Sequence, residues 1–273
     1  MDPVVRSYDL AMLHTASLFD LTTRDGRRQS NAWLAAMFLE LTAAAGPEVV
    51  LELGAFKAEF SARARAALPD AEVHAFEANP YNIAEFSERV TRAGVQYHHL
   101  AIGDAVGDTV FNLARREAGV EVGPTRRNNS LKTKPLDIEY EEVRVPVVTV
   151  DHFLAERGLG GRPTAMWIDL EGCGYEGLVG AAGTLGSTRL LLIEVEDRPF
   201  WNGQKLAGDV MRHLVGAGFM PLARDFQSKG QYNLIFARPE LLDEPAVRQA
   251  LAMGFAEAGR LARIRAAAPK TPP

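Results

Sequence analysis

Apolar residues along this chain fall into two spacings. Short apolar runs alternate with stretches whose apolar positions recur every three or four residues. The runs VVLEL (from Val49), VHAFE (ending at Glu77), VQYHHLAI (Val95 to Ile102), TAMWI (before Asp169) and RLLLIEVE (ending at Glu196) read as strands. Helical spacing fills the intervals from about Ala58 to Leu68, from Asn79-Pro80 to about Arg92, over YEGLVGAAGTLG, and from about Gln204 to Ala217. Strand, tight glycine turn and helix at Val49 to Ser61 is the first half of a βαβ unit, so the chain is α/β. The segments GFMPLARDF and QYNLIFARP read as a closing antiparallel hairpin.

Between these elements the pattern is less regular. Residues 1 to about 30 are mixed and carry no motif. Ser30-Asn31 offers a cap for a helix that Gly46-Pro47 ends, packed beside the sheet or walling the substrate pocket. Gly107 to Leu113 reads as a short hairpin strand. Periodicity then fails from Arg115 to Pro135, a basic, glycine-rich stretch holding Arg115, Arg116, Arg126, Arg127, Lys132 and Lys134. A loop this long is a solvated surface loop or a lid over the site, facing an acidic or hydroxyl-rich substrate. Glu142 to Val150 reads as a strand, and Asp151 as the cap of the helix DHFLAERG. The tail from Pro239 carries a helical pattern that packs on the core or makes a dimer contact. No repeat or linker divides the chain. The expected parts are an N-terminal helical segment (1–46), a main domain (47–239) and a C-terminal helical tail (240–273).

The turn after the first strand narrows the chemistry. Ligands in α/β sheets bind at the carboxyl ends of strands, and Gly54 stands at such an end. A dinucleotide site wants G-x-G-x-x-G, whose second glycine lets backbone approach the pyrophosphate. Here Phe56 and Glu59 occupy the second and third glycine positions. Glu77, at the end of the next strand, can accept hydrogen bonds from ribose hydroxyls. A glycine turn, no phosphate cradle and an acidic strand end point to S-adenosylmethionine.

Bulk properties change this little. A net charge of −5 gives no electrostatic case for nucleic acid or an anionic membrane. No apolar window is long enough for a transmembrane helix, and the N-terminus lacks the basic start and cleavage site of a signal peptide, so a cytoplasmic protein is expected. The single cysteine, Cys173, excludes an internal disulfide and any multi-cysteine metal site, and reads as a packing residue. His98 and His99 are neighbours on a strand and face opposite ways, so both read as structural.

The motifs LELGAFKAEFS, VHAFEANP, LAIGDAVGDTVFNL, NNSL, VPVVTVDHFL, WIDLEGCGYEGLVGA, LLLIEVE and YNLIFAR, in that order between Val49 and Arg238, resemble the FkbM family of S-adenosylmethionine-dependent methyltransferases. The resemblance implies the Rossmann-like class I methyltransferase fold, a seven-stranded, mostly parallel sheet with an antiparallel last strand and helices on both faces. It implies methyl transfer to an oxygen of a sugar, polysaccharide or secondary metabolite, so the partner is a small-molecule or glycan acceptor. Two departures stand out. The family's D-x-G-A-N-x-G is Glu52 to Ala58 here, with Phe56 and Ala58 in place of the amide and the last glycine. Its D-V-E-G-A-E runs from Asp169 to Gly174, without the second glutamate.

Roles follow. Glu52 and Gly54, with Ala55 and Phe56, hold the amino-acid end of the cofactor. Glu77, with Ala78 and Asn79, holds the ribose, and Ile102, Gly103 and Asp104 flank the adenine. Ser130, carried over by the resemblance, is a further cofactor contact. Asp169, a cofactor contact as well, takes the acceptor proton; its other reading is a helix cap. Glu171 orients Asp169 or shares a divalent cation, Mg or Mn, with it, but the visible ligands are too few to assert a metal. Glu194 and Glu196 are reserve bases. The alternatives are an NAD(P)-dependent Rossmann-fold reductase, disfavoured by the missing glycines, and a non-catalytic binding module. A homo-oligomer through the terminal helices is left open.

Overall fold

The computed structural model describes residues 3–228 and 230–267. The first two residues of the N-terminal segment and the last six of the C-terminal tail lie outside the described residues. The elements run α1 (Pro3–Ser17), α2 (Arg24–Ala45), β1 (Val49–Leu53), α3 (Glu59–Ala67), β2 (Glu72–Glu77), α4 (Pro80–Arg92), β3 (Gln96–His99), β4 (Ala101–Ile102), β5 (Gly107–Glu117), β6 (Val120–Glu121) and β7 (Ile138–Val148). They continue with α5 (Val150–Glu156), β8 (Thr164–Ile168), α6 (Gly174–Val179), β9 (Thr188–Glu196), α7 (Ala207–Gly216), β10 (Met220–Arg224), β11 (Gln231–Ala237) and α8 (Pro245–Ala267).

Seven strands form one sheet in the order β10-β11-β9-β8-β1-β2-β3. Neighbours from β9 to β3 pair in parallel, and β11, the last strand of the chain, runs antiparallel to both β9 and β10. This is the sheet expected. All five residues of β1 are buried, as befits a strand covered on both faces. One face packs Val50 and Leu192 against Trp33, Phe38 and Phe60 of α2 and α3, with α8 behind. The other packs Phe76 and Ile193 against Phe153, Leu178 and Leu214 of α5, α6 and α7. The tail packs on its own chain: Trp33 Nε1 donates to the carbonyl of Gly254 at 2.7 Å. Among the described residues no helix is long and apolar enough to cross a membrane.

Several boundaries differ from expectation. The stretch before residue 30 contains α1, and α2 begins at Arg24, capped by Thr23, whose hydroxyl accepts from Gly26 N. Ser30 is therefore inside a helix, its hydroxyl buried between Arg27 O and Phe226 N. The run Val95 to Ile102 is two strands. It leaves the main sheet after His99, and β4 joins a second sheet, in the order β4-β7-β5-β6. That sheet replaces the short hairpin strand: β5 and β7 are eleven residues each. Arg115 and Arg116 thus lie on β5, paired with Glu141 and Glu139. The loop proper is the strap from Val122 to Asp137. Thr149, not Asp151, caps α5. Asp151 instead accepts from the backbone nitrogens of Gly183 and Thr184, both at 2.7 Å, and so caps the 3-10 turn Thr184–Gly186. That turn is separate from α6, so the single helix expected there is divided, and α7 starts three residues late, at Ala207.

Candidate functional site

The carboxyl ends of β1, β2 and β8 meet at Gly54. Its φ is +83°, and a Cβ there would stand 2.0 Å from the carbonyl oxygen of Asp169. Only a residue without a side chain lets the two strand ends come so close. The turn continues through Phe56 and Ala58 at φ 46° and 50°. These are the positions where the family pattern has Asn and Gly, residues that tolerate the left-handed region. Here other contacts hold the strained backbone. Phe56 N donates to Glu77 Oε2 at 2.7 Å, its carbonyl accepts from the Tyr97 hydroxyl, and its ring meets Phe86 edge-on at 5.2 Å.

Glu77 accepts twice, from Phe56 N and, through Oε1, from Asn79 N at 2.7 Å. Burial pushes its carboxyl up to about 7. Glu52 accepts from Ser61 N at 2.8 Å, near the start of α3, and burial pushes it also up to about 7. Both carboxylates brace the turn, with lone pairs remaining for a ligand.

A cavity of about 270 Å³ opens over this rim. Of the residues singled out from the sequence, Glu52, Gly54, Ala55, Phe56, Glu77, Ala78, Ile102, Asp169 and Glu171 line it. Four do not. Asn79 caps α4 by accepting from Tyr81 N and donates to Pro124 O. Gly103 is packed against Val147 and Asp104 is exposed. Ser130 donates to the carbonyl of Glu171 at 2.6 Å, fixing that turn from behind the cavity wall. Arg126 and Arg127 of the basic stretch also line the cavity, and sequence reasoning missed Asn82, Asn129 and Trp167, which line it too. Of these three, Trp167 and Asn129 stood in motifs, WIDLEG and NNSL, and Asn82 carried no signal.

The strap supplies several of these residues and is clamped in place. Lys132 Nζ reaches Glu176 at 2.7 Å, Asn202 N donates to Thr133 O at 2.8 Å, and Lys134 Nζ lies 4.4 Å from the centre of the Trp201 ring. Arg126 pairs with Glu117 at 2.9 Å, and Arg127 lies over the ring of Phe56 at 5.1 Å.

Beyond Asp169 the wall turns acidic. Oxygens of Asp169, Glu171 and Glu194 come within 4.8 Å of one another. Burial raises all three carboxyls, Glu171 to about 8 and Glu194 well above its usual value. Asp169 Oδ1 is buried and has no hydrogen-bond partner, and the neighbouring Glu194 carboxyl could donate to Asp169 only when it carries a proton. Like charges this close require a shared proton or a cation between them, and the set has the hard oxygen donors of a Mg or Mn site. Glu196 is turned away, accepting from Gln204. The N-cap of α6 is Cys173, and no side chain caps that helix, so Asp169 is not its cap. Cys173 itself is buried, its thiol pushed up to about 11 by burial, and it packs beside Ser130.

The profile of the Methyltransferase FkbM domain matches residues 52–221, from the first site carboxylate to β10. The chain belongs to the FkbM methyltransferase family. Methyl transfer from S-adenosylmethionine is therefore its chemistry, and the reductase alternative falls away. Among solved structures this FkbM chain is similar to precorrin-6y C5,15-methyltransferase from Geobacter metallireducens GS-15, at 13% identity over 74% of this chain and 86% of that one, TM-score 0.42. It is similar to an O-methyltransferase family protein from Burkholderia thailandensis, at 12% identity over 80% and 60%, TM-score 0.41. It is also similar to the N-terminal domain of EvdMO1 with SAH bound, at 14% identity over 78% and 80%, TM-score 0.39. No curated protein matches the sequence. The residues of the FkbM site fit its cofactor in kind: the cavity over the glycine turn is lined by the carboxyls of Glu52, Glu77 and Asp169, which suit the hydroxyls and the positive charges of a sulfonium nucleoside.

Proposed function

We propose that the protein methylates a hydroxyl of a sugar, polysaccharide or secondary metabolite, with Asp169 as the base. The observation that carries this reading is the position of Asp169. It ends β8 against Gly54, lines the same cavity as Glu52 and Glu77, and presents a buried oxygen that no donor nitrogen satisfies. S-adenosylmethionine supplies an activated methyl group on a sulfonium sulfur.

The protein's own residues have three tasks. The turn from Gly54 to Phe56, with Glu52, orients the amino-acid end, and Glu77 accepts from the ribose. Orientation of this kind can lower a barrier by up to ~7–11 kcal/mol. Asp169 removes the acceptor proton as the methyl moves, worth about 10²–10⁴-fold. Its raised pKa suits a weakly acidic hydroxyl, and Glu194, raised by burial as well, stands beside it to share the proton. The strap holds Glu171 in place: Asn128, which lines the cavity, donates its N–H to Glu171 Oε1 at 3.2 Å.

The test is direct. Purified protein and S-adenosylmethionine are incubated with a panel of sugars, glycosides and polyols, and products are read by mass spectrometry for the gain of one methyl group. Methylation at oxygen supports the proposal. Transfer only to amines, thiols or carbon would overturn it.

A further inference from the structure

Two buried amides on one wall of the cavity hold unpartnered atoms of opposite kind. Asn82, in the first turn of α4, is 2% exposed and donates through Nδ2 to the carbonyl of Arg126 at 3.2 Å, leaving Oδ1 without a donor. Asn129, on the strap, is 7% exposed and accepts through Oδ1 from Ala114 N at 3.0 Å, leaving Nδ2 without an acceptor. The backbone partner fixes the orientation of each amide, so the free atom of Asn82 is an acceptor and that of Asn129 a donor. Buried polar atoms in a native fold find partners, and both residues line the cavity.

Their surroundings differ. Asn82 lies beside the Glu77 carboxylate, which is the ribose candidate. Asn129 is followed on the strap by Leu131, which packs with Ala101 and Phe111 into an apolar slot on the cavity wall. A slot of this composition accepts a flat ring, and such a ring has nitrogens that accept hydrogen bonds at its edge. We propose that Asn82 and Asn129 form a nucleoside-reading wall. Asn82 Oδ1 accepts from a ribose hydroxyl, and Asn129 Nδ2 donates to a ring nitrogen of the base. This rests on the cavity being the S-adenosylmethionine site, and it assigns the specificity for the nucleoside to the strap and α4 as well as to the sheet.

Isothermal titration calorimetry with S-adenosylhomocysteine and its analogues tests both halves. The wild-type protein is titrated with the 1-, 3- and 7-deaza compounds, each lacking one ring nitrogen, and with the 2′- and 3′-deoxy compounds. One deaza compound is expected to bind about tenfold more weakly than the parent, the loss of one hydrogen bond to a buried partner. Asn129→Asp keeps the acceptor for Ala114 N but turns the free donor into an acceptor. It is expected to weaken the parent and to erase the penalty of that deaza compound. Asn82→Ala is expected to erase the penalty of one deoxy compound in the same way. If all three deaza compounds bind the wild type like the parent, or if both variants weaken every compound equally, the wall only supports the strap and the proposal is overturned. Failure of the wild type to bind the parent compound would instead overturn the reading of the cavity itself.

Discussion

The carbonyl oxygen of Asp169 lies 2.0 Å from the place a Cβ on Gly54 would occupy, so the two strand ends that carry the candidate chemistry are in backbone contact. The amide of Asp169 also donates to the carbonyl of Leu53 at 2.9 Å. A side chain at Gly54 would have to move backbone, not a flexible tip. Gly54→Ala should therefore cost about 1–2 kcal/mol for the left-handed backbone and about 1–3 kcal/mol more for overpacking. Urea unfolding should show that loss, and calorimetry should show S-adenosylhomocysteine binding weakened more than about tenfold. Gly160→Ala, where nothing lies within 4 Å and φ is not positive, should leave both unchanged. Equal behaviour of the two variants would mean the close approach is not what the turn requires.

Glu77 gives a pH dependence with a definite sign. Its carboxyl is pushed up to about 7 by burial, from 4.5 when exposed, so the folded state holds the proton more tightly than the unfolded chain. The stability this group contributes is full below the unfolded value and is lost as pH rises through about 7. A ribose hydroxyl and a cationic sulfur both favour the ionised form. Thermal unfolding between about pH 5 and 8 should show the ligand-induced rise in Tm growing with pH. Glu77→Gln should flatten that growth. It should also cost about 1–3 kcal/mol, because the amide nitrogen would face a backbone N–H. A wild-type shift that does not change with pH would remove Glu77 from the ligand.

A buried histidine pair acts in the opposite direction. His74 Nδ1 and His98 Nε2 are 3.1 Å apart, packed against Phe76 and Phe153. Burial lowers both to about 4, with Arg157 close by and Glu72 4.0 Å from His74. Both rings are neutral in the fold and take up protons more readily when unfolded. Their contribution is therefore lost as pH falls from the unfolded value near 6.5 through about 4. His74→Gln should reduce the drop in urea midpoint between about pH 7 and 5, at some cost in stability at neutral pH. An unchanged drop would place the acid sensitivity elsewhere.

The main sheet was legible because its strands are buried on both faces and so read as apolar runs. The second sheet was not, since β7 has only Val145 and Val147 fully buried, alternates half-buried with exposed positions elsewhere and is rich in charge, like a solvated loop. The break after His99 has no local signal: the apolar run continues while the chain changes sheets. The same division holds in the site. Gly54, Glu77 and Asp169 stand at strand ends, where position in the sequence dictates position in the fold. Asn82 and Asn129 come from a helix and a strap that only tertiary packing brings together. Gly103 and Asn79 follow strand ends as expected, but their neighbours use them for packing and capping.

The coupled carboxyls give the most direct test of mechanism. Asp169 and Glu194 stand side by side and burial raises both carboxyls, so a proton taken up there belongs to the pair. Asp169→Asn should leave S-adenosylhomocysteine affinity within a few-fold of wild type, because Gly54, Glu52 and Glu77 remain. Turnover on an accepted substrate should fall by about 10²–10⁴-fold. Glu194→Gln should also slow turnover, and the double variant should lose far less than the product of the single effects, since both act on the same proton. Single-turnover rates read the chemical step apart from product release. If Asp169→Asn retains its rate while Glu194→Gln loses it, the acceptor proton goes to Glu194, and Asp169 only orients it.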